Sequence, residues 1–440
     1  MKRIGRIAGL LLALLLLTGC SGLSYQDLYT LPRASEDYYD LQEALNWVLS
    51  RGYSYAAPVS GARREPVQLV DLNADGVDEA VAFFRSGETG AVTIYILAQN
   101  AGVYTPSTVV EGAGPAVASV EYVDLDGTDD MEIIFAYQVS DAVPQAIQVY
   151  HYTGSGSPCI LSGSCTRYRL SDLDEDGLQE LICLTGGVDS TVAVECFDYR
   201  ETALISLGEQ RLRFGYDGLR QTLEGSLSDG TGALLFSGVS PEGTLMTDVL
   251  TVKEGALVSI EPQESILSSQ AIHSNFVFPR DVDGDGRVDI PVARQLPAYD
   301  DGSAPQSVVD WYDLRSGGEV RKKMTVFQAG SESWYLEILD AWDQDLTVKC
   351  LDESAAVSTV TLARHSGGDA PQDILTIYTL RGPSRQEYAA EHSLTALYSD
   401  SDTIYAVSLA AAELWEGTAS LAQVSELFHY AGSSQPGTEE

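Results

Sequence analysis

Four acidic loops carry the chemistry that this sequence can do. Asp71, Asn73, Asp75, Gly76 and Glu79 occupy positions one, three, five, six and nine of the first. Asp172, Asp174, Asp176, Gly177 and Glu180 repeat the spacing, as do Asp281, Asp283, Asp285, Gly286 and Asp289. A further loop keeps Asp124, Asp126 and Glu132, but Thr128 stands at position five and the glycine is displaced to Gly127. Alternate residues of a tight loop turn their oxygens inward, the glycine permits the sharp bend, and the last carboxylate closes the shell. That pattern suits a hard cation, Ca²⁺ foremost. One such loop reads as an ordinary acidic turn; three in register, each with its glycine, read as metal loops.

The loops also set a ruler. They begin at positions 71, 124, 172 and 281. The spacing is about 50 residues, and the last gap is about twice that, a period that signals a propeller, solenoid or array. A worn copy falls in the gap, at Ser226, Ser228, Asp229, Gly230 and Thr231. Two more follow, at Asp340, Asp343 and Asp345, and at Ser399, Asp400, Ser401 and Asp402. Around each loop, short β-branched and aromatic runs alternate with glycine- or serine-rich turns, which reads as strands. Three or four strands per unit and seven units predict an all-β chain, a seven-bladed β-propeller with short N- and C-terminal helices.

On these residues, positions 65 to 410 resemble FG-GAP/VCBS repeats, the calcium-loop repeats of integrin α-type propellers. The resemblance is specific for the first, third and fifth units and weaker for the second. It implies Ca²⁺ held by Asp71, Asn73, Asp75 and Glu79, by Asp172, Asp174, Asp176 and Glu180, and by Asp281, Asp283, Asp285 and Asp289. In the second unit it carries over only to Asp124, Asp126 and Glu132. Calcium of this kind staples a blade rather than serving catalysis. Extracellular modules bind it at about 10⁻⁴ to 10⁻³ M; at roughly tenfold excess each site adds about 1.4 kcal/mol by mass action.

The N-terminus gives an address. Lys2, Arg3 and Arg6 precede an apolar run too short to span a bilayer, and Leu17, Thr18, Gly19 and Cys20 read as a lipobox. The resemblance to bacterial lipoproteins implies a signal peptide over 1–19, cleavage before Cys20 and diacylation of its sulfur, with two chains holding the membrane. Residues 20–37 read as a tether. Residues 38–64 carry an amphipathic helix over Asp40 to Leu49, with Gly52 past its end, and a segment near Tyr53 to Val59 expected to close the ring against the short seventh unit. The propeller is placed over 65–430, with a helix from Leu421 to His429, and 431–440 is a polar tail.

A formal charge of −38 argues against nucleic-acid partners and against docking on anionic lipid through the protein surface. Five cysteines remain besides Cys20. Cys183 and Cys196 flank a glycine-rich turn and could face each other; Cys159 and Cys165 are close in sequence, and Cys350 is left over. Export permits disulfides, but the odd count leaves them optional.

No catalytic constellation emerges. The histidines at 151, 273, 365, 392 and 429 are scattered, and nucleophile-elbow, phosphate-loop and zincin motifs are lacking. Carboxylates are abundant enough to leave a glycosidase pair open. Candidate contact segments are Pro297 to Asp301, the basic run Arg321, Lys322 and Lys323, and Ser331 to Tyr335. The reading is a lipid-anchored, extracytoplasmic, calcium-binding propeller at the bacterial cell envelope, not an enzyme. It would act as a binding platform for protein or glycan at the cell surface. The alternative is an extracellular polysaccharide lyase or hydrolase on the same scaffold.

Overall fold

The computed structural model describes residues 39–139, 146–154, 156–186, 191–272, 276–328, 334–365, 370–409 and 419–430. The signal segment, Cys20, the tether, His273, Ser331 to Ser333 and the tail lie outside them.

Among the described residues, six antiparallel sheets follow one another along the chain. The first holds β1 (Tyr53–Tyr55), β2 (Val67–Val70), β3 (Glu79–Ser86), β4 (Val92–Asn100) and β5 (Val103–Glu111). The second is a meander of β6 (Ala116–Val123), β7 (Glu132–Gln138), β8 (Ala146–His151) and β9 (Cys159–Ser164). The third repeats it with β10 (Arg167–Ser171), β11 (Glu180–Thr185), β12 (Thr191–Arg200) and β13 (Ala203–Gly215). The fourth has β14 (Leu219–Ser226), β15 (Gly232–Val239), β16 (Leu245–Lys253) and β17 (Ala256–Ser259), with β18 (Ser268–Ser269) paired to β16. β19 (Asp289–Gln295), β20 (Ser307–Leu314), β21 (Val320–Gln328) and β22 (Trp334–Ile338) make the fifth. The sixth has β23 (Leu346–Ser354), β24 (Val357–Arg364), β25 (Gln372–Arg381), β26 (Thr395–Ser399) and β27 (Thr403–Leu409). The C-terminal β28 (Phe428–Tyr430) returns to the fifth sheet and pairs with β22.

Side-chain alternation along these strands decides how the sheets stack, since successive residues point to opposite faces. In the first sheet Val81, Phe83, Ile94 and Ile96 pack with Val120, Ile133 and Phe135 of the second. Ile134 and Val149 turn the other way, toward Leu181 and Cys183 of the third. Ile182, Val194 and Phe214 then meet Phe236 and Leu250 of the fourth, and Leu235 and Val249 meet Ile290 of the fifth. The last junction joins Phe327, Trp334 and Leu336 to Val348, Leu362 and Ile377, with Trp342 of α2 (Asp340–Asp343) between them. Each central sheet is thus apolar on both faces.

The two end faces are covered by helices. Leu41, Leu45 and Val48 of α1 (Tyr39–Leu49) cover Ala80, Ala82, Phe84, Tyr95 and Leu97 on the outer face of the first sheet. On the sixth sheet, Val357, Leu380, Ile404 and Ala406 lie against Tyr388 and Ala389 of α3 (Arg385–Glu391) and against Leu394. Among the described residues no buried cluster contains both first-sheet and sixth-sheet side chains.

Three expectations change here. Among the described residues the sheets number six, not seven, because the two last predicted units share one sheet. Asp340 and Asp343 lie in α2, which leads into β23. Asp400 instead shapes the tight turn between β26 and β27, accepting from Asp402 N at 2.9 Å and Thr403 N at 2.8 Å. An acidic hairpin turn and an acidic inter-sheet loop look alike in sequence. The ring-closing strand also lands elsewhere: Tyr53 to Tyr55 pair with Phe84 to Ser86 of the first sheet. The C-terminal helix is α4 (Leu421–Leu427), started by a Ser420–Gln423 capping box, and His429 belongs to the strand after it.

If α1 is a cap, truncating its central contact should weaken the whole stack. Leu45→Ala should lower unfolding stability by about 2–3 kcal/mol, the range for a buried leucine whose site partly collapses. Urea unfolding followed by tryptophan fluorescence measures this directly.

Candidate metal centres in the acidic loops

The first four loops, including the worn fourth, each join the first and second strands of a meander; the fifth leads straight into β19. Neighbouring loops touch. Met131 N donates to Leu72 O at 2.8 Å, and Val288 N donates to Ser226 O at 2.9 Å. Gly232 sits so close to the third loop that an added Cβ would lie 3.1 Å from Leu173 O. The loops therefore form a row along one side of the stack.

One hydrogen bond recurs in the four loops at Asp71, Asp124, Asp172 and Asp281. The position-nine carboxylate turns back and accepts from the backbone N–H of position two. Glu79 accepts from Leu72 at 3.0 Å, Glu132 from Leu125 at 2.7 Å, Glu180 from Leu173 at 2.7 Å and Asp289 from Val282 at 3.0 Å. All four side chains are buried. The bend is made by left-handed residues: Ala74 and Gly76 in the first loop and Glu175 and Gly177 in the third.

The third loop gathers its predicted ligands most completely. Asp172, Asp174, Asp176 and Glu180 each offer an oxygen within 4.8 Å of the others. Asp172 Oδ2 accepts from Gly177 N at 3.1 Å, while its Oδ1 is buried with no hydrogen-bond partner. Asp176 Oδ1 accepts from Leu178 N at 2.8 Å. Burial, aided by the charges of Asp174, Asp198 and Asp172, pushes the Glu180 carboxyl up to about 7 despite its bond to Leu173. Burial and the Asp176 charge likewise raise Asp174. A buried, unpartnered oxygen among crowded carboxylates is what a hard cation would relieve, so this donor set fits Ca²⁺.

The other loops differ. In the first, Asp71 gives both oxygens to backbone amides of Asp75 and Gly76, and Asn73 Nδ2 donates to Asp75 Oδ2 at 3.1 Å. That loop is closed by its own hydrogen bonds, and its three carboxylates are not among the convergent sets of the described residues. In the second, Asp124 is spent on the amides of Asp126, Gly127 and Asp129. Asp126 and Glu132 converge instead with His151, whose Nδ1 lies 2.6 Å from Glu132 Oε1. His151, one of the scattered histidines, joins this site although the spacing in sequence does not single it out. It is placed by the β7–β8 register, which sets it directly across from Glu132.

The fifth loop already contains a cation. Asp281, Asp283 and Asp285 converge, but Lys323 Nζ lies 3.0 Å from Asp283, 2.9 Å from Asp285 and 2.9 Å from Asp289. Burial works to lower the Lys323 pKa, yet the hydrogen bonds to Asp285, Asp289 and Asp283 outweigh it and hold the ammonium well above its ordinary range. The Lys323 hydrogen bond in turn holds Asp285 below the usual carboxylate range.

The basic run singled out as a contact surface is thus internally paired. Arg321 bonds Asp313, and Lys322 bridges Asp310 at 3.0 Å and Asp343 at 2.9 Å. Pro297 to Asp301 is pinned to the sixth sheet, with Tyr299 donating to Asp373 at 2.8 Å and Lys349 reaching Asp300 at 3.2 Å. Trp334 is core, and Tyr335 stacks on His429 at 4.7 Å. Cysteines 159, 165, 183, 196 and 350 are free. Cys183 and Cys196 are one residue out of register and point into different cores. An open groove of about 680 Å³ beside the third loop is lined by Asp174, Glu175, Asp229, Gly230 and Arg287.

No family model and no curated protein matches the chain. Among solved structures, it is similar to the β-propeller domain of the Trilobed protease from Pyrococcus furiosus. They share 14% identity over 73% of this chain and 93% of that one, with a TM-score of 0.26. A candidate 6-phosphogluconolactonase from Bacteroides fragilis matches at 12% identity over the same shares, with a TM-score of 0.24. At these scores neither likeness bears on what this chain does.

The elevated Glu180 pKa has a definite sign. Between about 4.5 and about 7 the folded chain keeps a proton that the unfolded chain releases. In chelated buffer the Glu180 contribution to stability is therefore fully present below that window and lost as pH rises through it. Glu180→Gln should melt progressively higher than the parent as pH climbs from 4.5 to 7, with the gap constant above. Paired melting curves across this range check it.

Proposed function

We propose that this chain is an exported, lipid-anchored, calcium-binding scaffold of β-propeller type that presents a binding face to a protein or glycan at the bacterial surface. The observation that supports it most is the third loop, where four carboxylates meet around the unpartnered Asp172 Oδ1. Ca²⁺ there would take its oxygens from Asp172, Asp174, Asp176 and Glu180 and stiffen the turn between β10 and β11. In the first loop Asp71 gives both oxygens to backbone amides, so it ranks behind the third. The docking face in this reading is the loop row and its groove, where Arg287 is a cationic group in otherwise acidic surroundings.

Titrating Ca²⁺ into the chelated protein, by calorimetry alongside thermal melting, tests the metal. Saturable binding with a raised melting temperature is expected, and Asp174→Asn should remove one ion. A flat titration, or a stoichiometry that Asp174→Asn leaves unchanged, would sink the third-loop assignment. Anchoring is tested separately: cells fed labelled fatty acid should label the parent chain and not Cys20→Ser. Glycan arrays and envelope-protein pull-downs with the loaded form, compared with Arg287→Glu, would then address the partner.

A further inference from the structure

The fifth loop has the sequence of a metal site and the geometry of an ion-pair site. We infer that Lys323 is its permanent counter-cation, doing there what a metal would do and excluding metal from it. This rests on the reading of the acidic loops as cation loops, and it departs from that reading for this loop.

Backbone amides take up several of the loop's carboxylate oxygens and leave the others to Lys323. Asp281 gives Oδ1 to the amides of Gly284 and Asp285 and Oδ2 to that of Gly286. Asp285 gives Oδ1 to Arg287 N, and Asp289 gives Oδ2 to Val282 N. The remaining oxygens, Asp285 Oδ2 and Asp289 Oδ1, both go to Lys323 Nζ at 2.9 Å, and Asp283 joins them at 3.0 Å. A lysine ammonium has three donors; here it donates to Asp283 and Asp285 and pairs by charge with Asp289 Oδ1. Asp313 adds its charge from 3.6 Å. Calcium would need those same oxygens at about 2.3–2.6 Å, which leaves no room for an ammonium among them.

The backbone delivers Lys323 for this purpose. In the β20–β21 ladder Trp311 pairs with Met324 and Tyr312 with Lys322, so Lys323 is the extra residue of a bulge. Bulges re-aim a side chain out of the regular alternation. This one brings the Lys323 side chain to 11% exposure, with its charged end inside the loop.

Calcium stoichiometry and melting of the purified full chain, Lys323→Met, Asp285→Asn and the Lys323→Met/Asp285→Asn double variant decide the matter. Lys323→Met should bind one more ion than the parent, and the double variant should lose it again. In chelator Lys323→Met should melt several degrees below the parent, and millimolar Ca²⁺ should restore it. Asp285→Asn alone should leave the parent stoichiometry unchanged. Equal ion counts in the parent and Lys323→Met would overturn the inference, as would loss of an ion on Asp285→Asn alone. Failure of the third-loop reading looks different: the parent would bind no ion while Lys323→Met bound one.

Discussion

The structure depends on a buried carboxylate, present in four of the loops, that folds back onto the amide seven residues before it. Removing an ionised carboxylate from water costs several kcal/mol unless hydrogen bonds and a counter-charge offset the loss. The amide bond supplies only part of that compensation, so each loop needs something more. The second meets Glu132 with an imidazole, and the fifth meets Asp289 with an ammonium. The third surrounds Glu180 with further carboxylates, which makes it the loop most in need of an external cation. One backbone solution is thus paired with different electrostatic solutions, chosen by a few residues on the neighbouring strands.

Much of this was legible in the chain. The acidic loops, the strand runs around them, the worn copy at Ser226 and the amphipathic face of α1 all follow from local spacing and side-chain period. The partners of the loops did not, because they lie across a ladder whose register is a tertiary property. His151 is 19 residues from Glu132 and Lys323 is 34 from Asp289, so only strand pairing brings them together. The bulge at Lys323 adds one residue that no alternation pattern foretells. A signal did exist for the basic run: three cations in a row on a strongly acidic chain had to find carboxylates somewhere.

Counting units by acidic turns failed where a hairpin inside one sheet borrowed the same residues. Asp400 caps a turn through its own backbone neighbours, as aspartates do in tight turns generally. The better unit marker is the apolar alternation on either side, since a sheet inside the stack must be hydrophobic on both faces. The outer face of the sixth sheet is apolar too, with Leu380, Ile404 and Ala406, but a short helix covers it where an inner sheet would meet another sheet, and this marks it as terminal.

The helical caps have a consequence for how such a chain can change length. In a closed ring every sheet is a wedge, and adding one alters the angle demanded of all the others. Here α1 and α3 each need only one apolar sheet face to sit on, and the sheets between them need only two neighbours. A duplication or deletion of one whole unit would leave both lids and all remaining junctions as they were. The number of units is then free to drift among descendants of this chain, while the fold-back carboxylate of the four loops that carry it is not.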